Sequence, residues 1–269
     1  MTKLIDSIVD LEKYPLHTPN TFEWDQLVEQ CRQSLKERGM YELPGFLKPE
    51  ALKESLVKLL PRMASESVEI RREHNIYFLD KVEGLSADHP ALKKILTTNH
   101  TLCADQLTDT CLTDLYEWPN FRIFVAATME IEKLHLMDDE LARLNILSYR
   151  PGEALNWHFD RSEFTITLLL QRAEQDGVFE YRRELRTTDD PNYEGVGKMI
   201  AGNEANWKGL NTSDSPVLLF TPDPEAPDGK PIPFHAVGGS PELVQQAQQA
   251  AMDVQATIGR RSPTMGESA

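Results

Sequence analysis

The sequence predicts an α+β protein of one domain, 1–269, with a mainly helical part over about 1–140 followed by antiparallel β structure over about 141–269. Apolar residues recur at helical spacing in the first part, whereas after Leu141 they alternate or cluster in short runs between turn residues. No linker rich in Gly, Ser and Pro divides the two parts, and β-sandwich or barrel enzymes commonly keep a single core at roughly 200–250 residues. With 40% hydrophobic residues, the chain can bury a sizeable core.

From Asn20 to Gly39, Trp24, Leu27, Val28, Cys31 and Leu35 fall on one helical face, Thr21 suits the cap, and Gly39 suits a left-handed terminus. Met40–Leu43 reads as a strand stopped by Pro44-Gly45. A second helix begins at Pro49 and is expected to bury Leu52, Leu56, Leu59 and Leu60. Between Glu66 and Asn99 the pattern loosens, with a strand expected at Asn75–Leu79 amid loops. Helical spacing returns over Gln106–Tyr116 and after Pro119, where Phe121, Phe124, Val125 and Met129 face one way.

In the second part the expected strands are Arg143–Tyr149, Phe164–Gln171, Val178–Tyr181 and Val217–Thr221, with a turn at Pro151-Gly152. Asp189–Gly202 reads as an inserted helix capped by Asp190 or Asn192. Five prolines from Pro222 to Pro233 call for an irregular loop. After Pro241 the Gln-rich stretch through Gln255 is expected to be a helix with Leu243, Val244, Ala247 and Ala251 on one side.

A net charge of −15 repels phosphate backbones and anionic lipid, which argues against nucleic-acid and membrane partners. Cys31, Cys103 and Cys111 are too few and too scattered for a disulfide framework, which favours the cytoplasm. Asp6 and Asp10 interrupt the place where a signal peptide needs an apolar core, and no later apolar run is long enough to span a bilayer. The oligomeric state is open, and a homo-oligomer is compatible with the sequence.

The chemistry concentrates in Tyr149-Arg150-Pro151-Gly152-Glu153-Ala154-Leu155-Asn156-Trp157-His158-Phe159-Asp160. In an extended segment residues i and i+2 share a face, so His158 and Asp160 can hold one metal. Two imidazoles and a carboxylate on one side of iron form the facial triad of non-haem Fe(II) oxygenases. An isolated His-x-Asp more often marks an ordinary hydrogen-bonded pair, and only its surroundings raise it above that reading.

Those surroundings resemble a group of bacterial Fe(II)/2-oxoglutarate-dependent oxygenases that includes free amino acid hydroxylases and radical halogenases. The likeness rests on WHFDRSEFTITLLLQ, GVFEY and the helix containing DPNY, and upstream on DLEKYPLH, ELPGFLKPEAL, HNIYFLD and DHPALKKILTTNH. It covers about residue 10 to Phe220. The resemblance implies a double-stranded β-helix, a jelly-roll (cupin-like) barrel wrapped by helices, with the metal motif in the part from about 141. It implies Fe(II) and 2-oxoglutarate as cofactors, O2 as co-substrate, and a small amino-acid-like substrate in specialised metabolism. His158 and Asp160 then become iron ligands. Because the halogenases of this group replace the carboxylate with a small residue to admit chloride, Asp160 favours hydroxylation, desaturation or radical cyclisation.

In the group a strand like Val217–Phe220 is followed by a histidine in an H-R-V context and, about ten residues later, by an arginine for the 2-oxoglutarate carboxylate. Here the segment is Phe234-His235-Ala236-Val237, and His235 is the only histidine after Asp160. It is the third ligand by that matching. The residue ten positions on is Gln245, so the anchor passes either to Arg260, returning on a short final strand Val254–Ile258, or to Arg161. The fold also places a phenol or amide near the co-substrate, which suggests Tyr149 and Asn145, although a buried structural tyrosine serves equally well. Thr165 and Thr167 either line the cavity or are simply good strand residues. Two rival readings stand beside the oxygenase: a divalent-metal cupin of other chemistry, and a jelly-roll binding protein without catalysis. Of the remaining histidines, His17, His74, His89, His100 and His135 read as structural, with His74 the one whose distance from the pocket matters.

Overall fold

The computed structural model describes residues 2–139, 141–159, 164–171, 179–183, 185–187, 189–203, 208–210, 217–222, 236–238, 251–256 and 258–259. The amino-terminal elements are helix α1 (Thr2–Ile8), helix α2 (Phe22–Arg38), strand β1 (Tyr41–Pro44) and helix α3 (Pro49–Ser65). Strands β2 (Val68–His74) and β3 (Ile95–Leu102), helices α4 (Cys111–Glu117) and α5 (Pro119–Thr128) and strand β4 (His135–Leu136) follow. Then come β5 (Leu144–Tyr149), β6 (His158–Phe159), β7 (Phe164–Gln171), β8 (Phe179–Arg182), helix α6 (Tyr193–Ile200), β9 (Lys208–Leu210), β10 (Val217–Pro222), β11 (Ala236–Gly238), β12 (Ala251–Ala256) and β13 (Ile258–Gly259).

Two antiparallel sheets carry the fold. The larger has the order β1-β10-β7-β12-β5-β3-β2 and the smaller β6-β11-β8-β9, while β13 pairs with β4. Strands β5 to β12 pass back and forth between the sheets, which is jelly-roll connectivity: β5, β7, β10 and β12 lie in the larger sheet and β6, β8, β9 and β11 in the smaller.

The period of two along each strand sorts the side chains. On the larger sheet Leu144, Ile146, Ile166, Leu168 and Leu170 enter the main core with Val28 and Cys31 of α2 and Phe121, Phe124 and Val125 of α5. Their neighbours Asn145, Leu147, Tyr149, Thr165 and Thr167 belong to the opposite, barrel-facing side. Direct pairing of Thr101 with Leu147 puts Thr101 on that side too, and alternation along β3 adds Asn99 and Thr97.

Local chemistry explains the best-placed elements. The Thr21 hydroxyl accepts from the Trp24 amide at the start of α2, and Gly39 ends it at φ 76°, a left-handed conformation that suits glycine. Asn192, rather than Asp190, caps α6 by accepting from the Gly195 amide. The strand expected at Phe164–Gln171 is β7 itself.

Four expectations need correction. Helix α3 buries Leu59 as expected and packs Leu52 and Leu56 half-buried against the core, but Leu60 is exposed and Ala51, Ser55 and Met63 complete the buried face instead. Asn75–Leu79 is a tight loop: the Asn75 side chain accepts from the Tyr77 and Leu79 amides and donates to the Leu79 carbonyl, a local alternative to the sheet ladder. The strands of this region are β2 and β3 on either side of it. The amino-terminal part is therefore not a helical wrapping alone, since β1, β2 and β3 extend the larger sheet. Finally, Ala251–Gln255 lies in strand β12, hydrogen-bonded between β5 and β7, where two open ladder edges outweigh the helical pattern. Residues 241–250, and the part of the expected proline-rich loop from 223 on, lie outside the described residues. Among the described residues no helix is long and apolar enough to cross a membrane.

Candidate metal centre

The approach to the motif is built stepwise from β5. At its end the chain turns at Pro151-Gly152, with Gly152 at φ 85°. The Glu153 carboxylate closes the turn by accepting from the Arg150 amide, and its other oxygen pairs with Nε2 of buried His100 at 3.1 Å. The chain then runs beside β3. The Thr98 amide donates to the Ala154 carbonyl and the Asn156 amide to Thr97 Oγ1, which delivers His158 to the barrel.

His158 is half-buried. Its Nδ1 stands 2.8 Å from the carbonyl of Asn156. A carbonyl only accepts, so Nδ1 carries the proton and Nε2 the lone pair, the tautomer in which imidazole ligates metal. Phe159, the next residue, points the other way into a second core formed by Ile76, Leu185, Val196 and Met199. Its amide donates to the Ile76 carbonyl, and the Arg186 guanidinium lies 3.9 Å from its ring centroid. Burying Phe159 on one side of β6 thus commits His158 to the other.

The Asn75–Leu79 loop walls this place. Phe78 has φ 57°, uncommon for a bulky residue, and its ring stacks on His74 with centroids 4.4 Å apart. The same ring meets His158 edge-on at 6.2 Å, and His74 does so at 6.5 Å. Tyr77 reaches over Phe159 and donates its hydroxyl to the Pro191 carbonyl, and burial pushes that phenol well above its ordinary pKa. Sequence reasoning flagged His74 but assigned no role to Asn75, Phe78 or Thr97. For Asn75 and Phe78 the signal was the run HNIYFLD, whose asparagine is a loop-former rather than a strand residue.

The smaller sheet sets β11 beside β6, with Val237 opposite His158 and Ala236 opposite Phe159. Asn145 and Tyr149 occupy β5 on the barrel-facing side. Asn145 donates to the Ala142 carbonyl at 2.9 Å and sits opposite Gln255, while Tyr149 sits opposite Ala251. Thr167 is paired with both Leu219 and Gln255, so it lies mid-sheet. β12 carries no arginine, and the expected final strand reaches only Ala256 before β13 resumes at Ile258. Asp160, Arg161, His235 and Arg260 lie outside the described residues. Among the described residues no three His, Cys, Asp or Glu side chains gather as a metal site.

Solved structures share this architecture. A prolyl-4-hydroxylase of Pseudomonas putida is 12% identical, with a TM-score of 0.50 over 87% of this chain and 99% of its own. The non-haem alpha-ketoglutarate-dependent epimerase SnoN from nogalamycin biosynthesis is 12% identical, with a TM-score of 0.52 over 91% and 90%. The carbocyclase SnoK from nogalamycin biosynthesis is 10% identical, with a TM-score of 0.52 over 87% and 85%. The chain is a double-stranded β-helix. Within that β-helix His158 is carried by the first strand of the smaller sheet, and β11 is its neighbour. No family model and no curated protein matches the chain.

Proposed function

We propose that this chain is a non-haem Fe(II)/2-oxoglutarate-dependent oxygenase acting on an unactivated C–H bond of a small amino-acid-like substrate. The observation that carries the proposal is the β6–β11 register, Ala236 opposite Phe159 and Val237 opposite His158. In the sequence Asp160 follows Phe159 and His235 precedes Ala236. Facing Cα atoms in an antiparallel pair are about 4.5–5.5 Å apart and successive ones along a chain about 3.8 Å, so a register at Phe159 and Ala236 supports bringing the sequence neighbours of that pair together. Continuing the ladder by one step would set them opposite each other, on the face His158 uses. One carboxylate and two imidazoles on a single face are the donor set that suits Fe(II) with open positions.

The side chain of His158 fits the metal, since its Nδ1–H is committed to the Asn156 carbonyl. Bound there, iron and 2-oxoglutarate supply the oxidising power for cleaving a C–H bond. The chain's own part is to bind, orient and keep water away. Phe78 and His74 wall one side of His158 with stacked rings, which limits solvent near the metal position. The barrel-facing side, where Thr101, Asn145, Tyr149, Thr165 and Thr167 outnumber Leu147, supports a polar small molecule over an apolar one. Tyr149 and Asn145 are assigned to the co-substrate carboxylate, with Arg161 or Arg260 as its cationic anchor, because β12 offers none. The retained Asp160 fills the position that halogenation leaves empty, so hydroxylation, desaturation or ring closure is the outcome assigned. Structural neighbours that act in nogalamycin biosynthesis support a place in specialised metabolism. Free Cys31, Cys103 and Cys111 suit a cytoplasmic enzyme.

The test is an anaerobic titration with Fe(II) and 2-oxoglutarate, followed by oxygen exposure with a panel of free amino acids. A 2-oxoglutarate-dependent visible band and succinate release are expected, and both should vanish in Asp160→Ala and His235→Ala. A wild-type protein that binds iron without the band, or yields no succinate with any candidate, overturns the assignment in favour of a non-oxygenase jelly roll.

A further inference from the structure

We infer that His74, Thr97 and Asn156 form a positioning chain that fixes the His158 ring in the tautomer and direction a metal ligand needs. The inference rests on the metal-binding reading of His158 and deepens it.

The chain has a direction that the acceptors impose. His74 Nδ1 lies 3.0 Å from the Asn75 carbonyl, which can only accept, so Nδ1 donates and Nε2 holds a lone pair. Thr97 Oγ1, 2.8 Å from that Nε2, must then supply its proton to it. Having donated, the hydroxyl oxygen accepts the Asn156 amide at 3.1 Å. The carbonyl of Asn156 in turn receives Nδ1–H of His158 at 2.8 Å. Each proton in the series has one consistent place: an unprotonated Nδ1 on either imidazole would set a lone pair against a carbonyl oxygen, and turning the Thr97 proton towards the Asn156 amide would set two donors against each other.

Burial makes the series rigid. His74, Thr97 and Asn156 are 5%, 4% and 6% exposed, so water cannot cheaply replace a lost partner. The Asn156 side chain adds a second grip, accepting from the Trp157 amide at 2.8 Å. The series joins three separate segments: the end of β2, the start of β3 and the approach to β6. None of these residues faces solvent or serves a helix end. What they hold in common is the backbone carbonyl that aims His158. The stacked Phe78 ring keeps His74 from turning away, and its left-handed backbone shows that the loop accepts strain to place it.

Thr97→Val removes the hydroxyl and keeps the shape. The reading is the dissociation constant for Co(II), a redox-stable stand-in for Fe(II), titrated anaerobically by its visible absorption, together with the melting temperature of each metal-free variant. Loss of a direct partner of a metal-ligating histidine weakens metal binding by roughly 10- to 100-fold, and Thr97, one link further out, is expected near the lower end, about 10-fold. Thr97→Val is expected to show that loss, Thr97→Ser to restore wild-type affinity, and His74→Phe, which keeps the ring stack, to reproduce the loss. Should Thr97→Val fail to fold, His74→Phe carries the same expectation. If these variants melt lower but bind Co(II) as tightly as the wild type, the positioning role is overturned and the network is merely structural. Failure of the underlying reading looks different: wild type and His158→Ala would then bind Co(II) equally poorly.

Discussion

On β5, Leu144 and Ile146 press into the helix-side core, while the alternate residues Asn145 and Tyr149 belong to the barrel side. β7 repeats the division, with Ile166 and Leu168 on one side and Thr165 and Thr167 on the other. The helix side stores stability in close-packed hydrocarbon, and any loss of volume there is felt at once. The barrel side carries Leu147 but is otherwise mostly hydroxyls, amides and one oriented imidazole, groups that can bind a polar molecule. One sheet can serve both ends because its side chains alternate.

The division predicts that stability and ligation separate by face. The largest effect is expected from His158→Ala: Fe(II) binding measured by anaerobic titration should be lost, while the unfolding free energy changes far less, because the ring is only half-buried. Next, Phe124→Ala on the helix side removes a ring that is 0% exposed and should cost about 3–5 kcal/mol in urea unfolding. Metal affinity of the remaining folded protein should not change, and a large loss of affinity would break the separation. Thr21→Ala, which deletes the cap of α2, should cost about 1 kcal/mol by the same measurement, again with no effect on metal.

The smallest effect sharpens the comparison on the smaller sheet. Glu180 of β8 is buried, and desolvation raises its carboxyl above the usual range. A folded-state value above the unfolded one means that ionising the group opposes folding. The penalty grows as pH rises through the ordinary carboxylate range and levels off above the raised folded value. Glu180→Gln should therefore stabilise the protein at neutral pH and give no gain in acid, where both states are protonated. Urea unfolding at the two pH values checks the sign, and a gain that persists in acid would exclude desolvation as its cause.

How legible each region was in the sequence follows from how local its cause is. The ends of α2 were readable because Thr21 and Gly39 act on backbone groups within a few residues of themselves. β7 was readable because its alternation reports a sheet with unlike faces. His158 was readable through its neighbour two positions on, but the tautomer was not. That depends on the Asn156 carbonyl, aimed by Thr97 from another strand. The strand at Ala251–Ala256 was misread because its own residues permit a helix, and only the open edges of β5 and β7 make a strand the better solution. Phe78 was likewise misplaced in a strand, since three hydrogen bonds from the Asn75 side chain bend the loop instead.

By itself the sequence determined the helix caps, the β character after Leu141 and the chemical types available at the motif. Tertiary structure decided which strands pair, which face each motif residue takes, and that β6 and β11 lie side by side. The physical reason is range: capping and alternation are settled between near neighbours along the chain. Pairing instead requires distant segments to satisfy each other's backbone groups, a choice made only when the whole barrel closes.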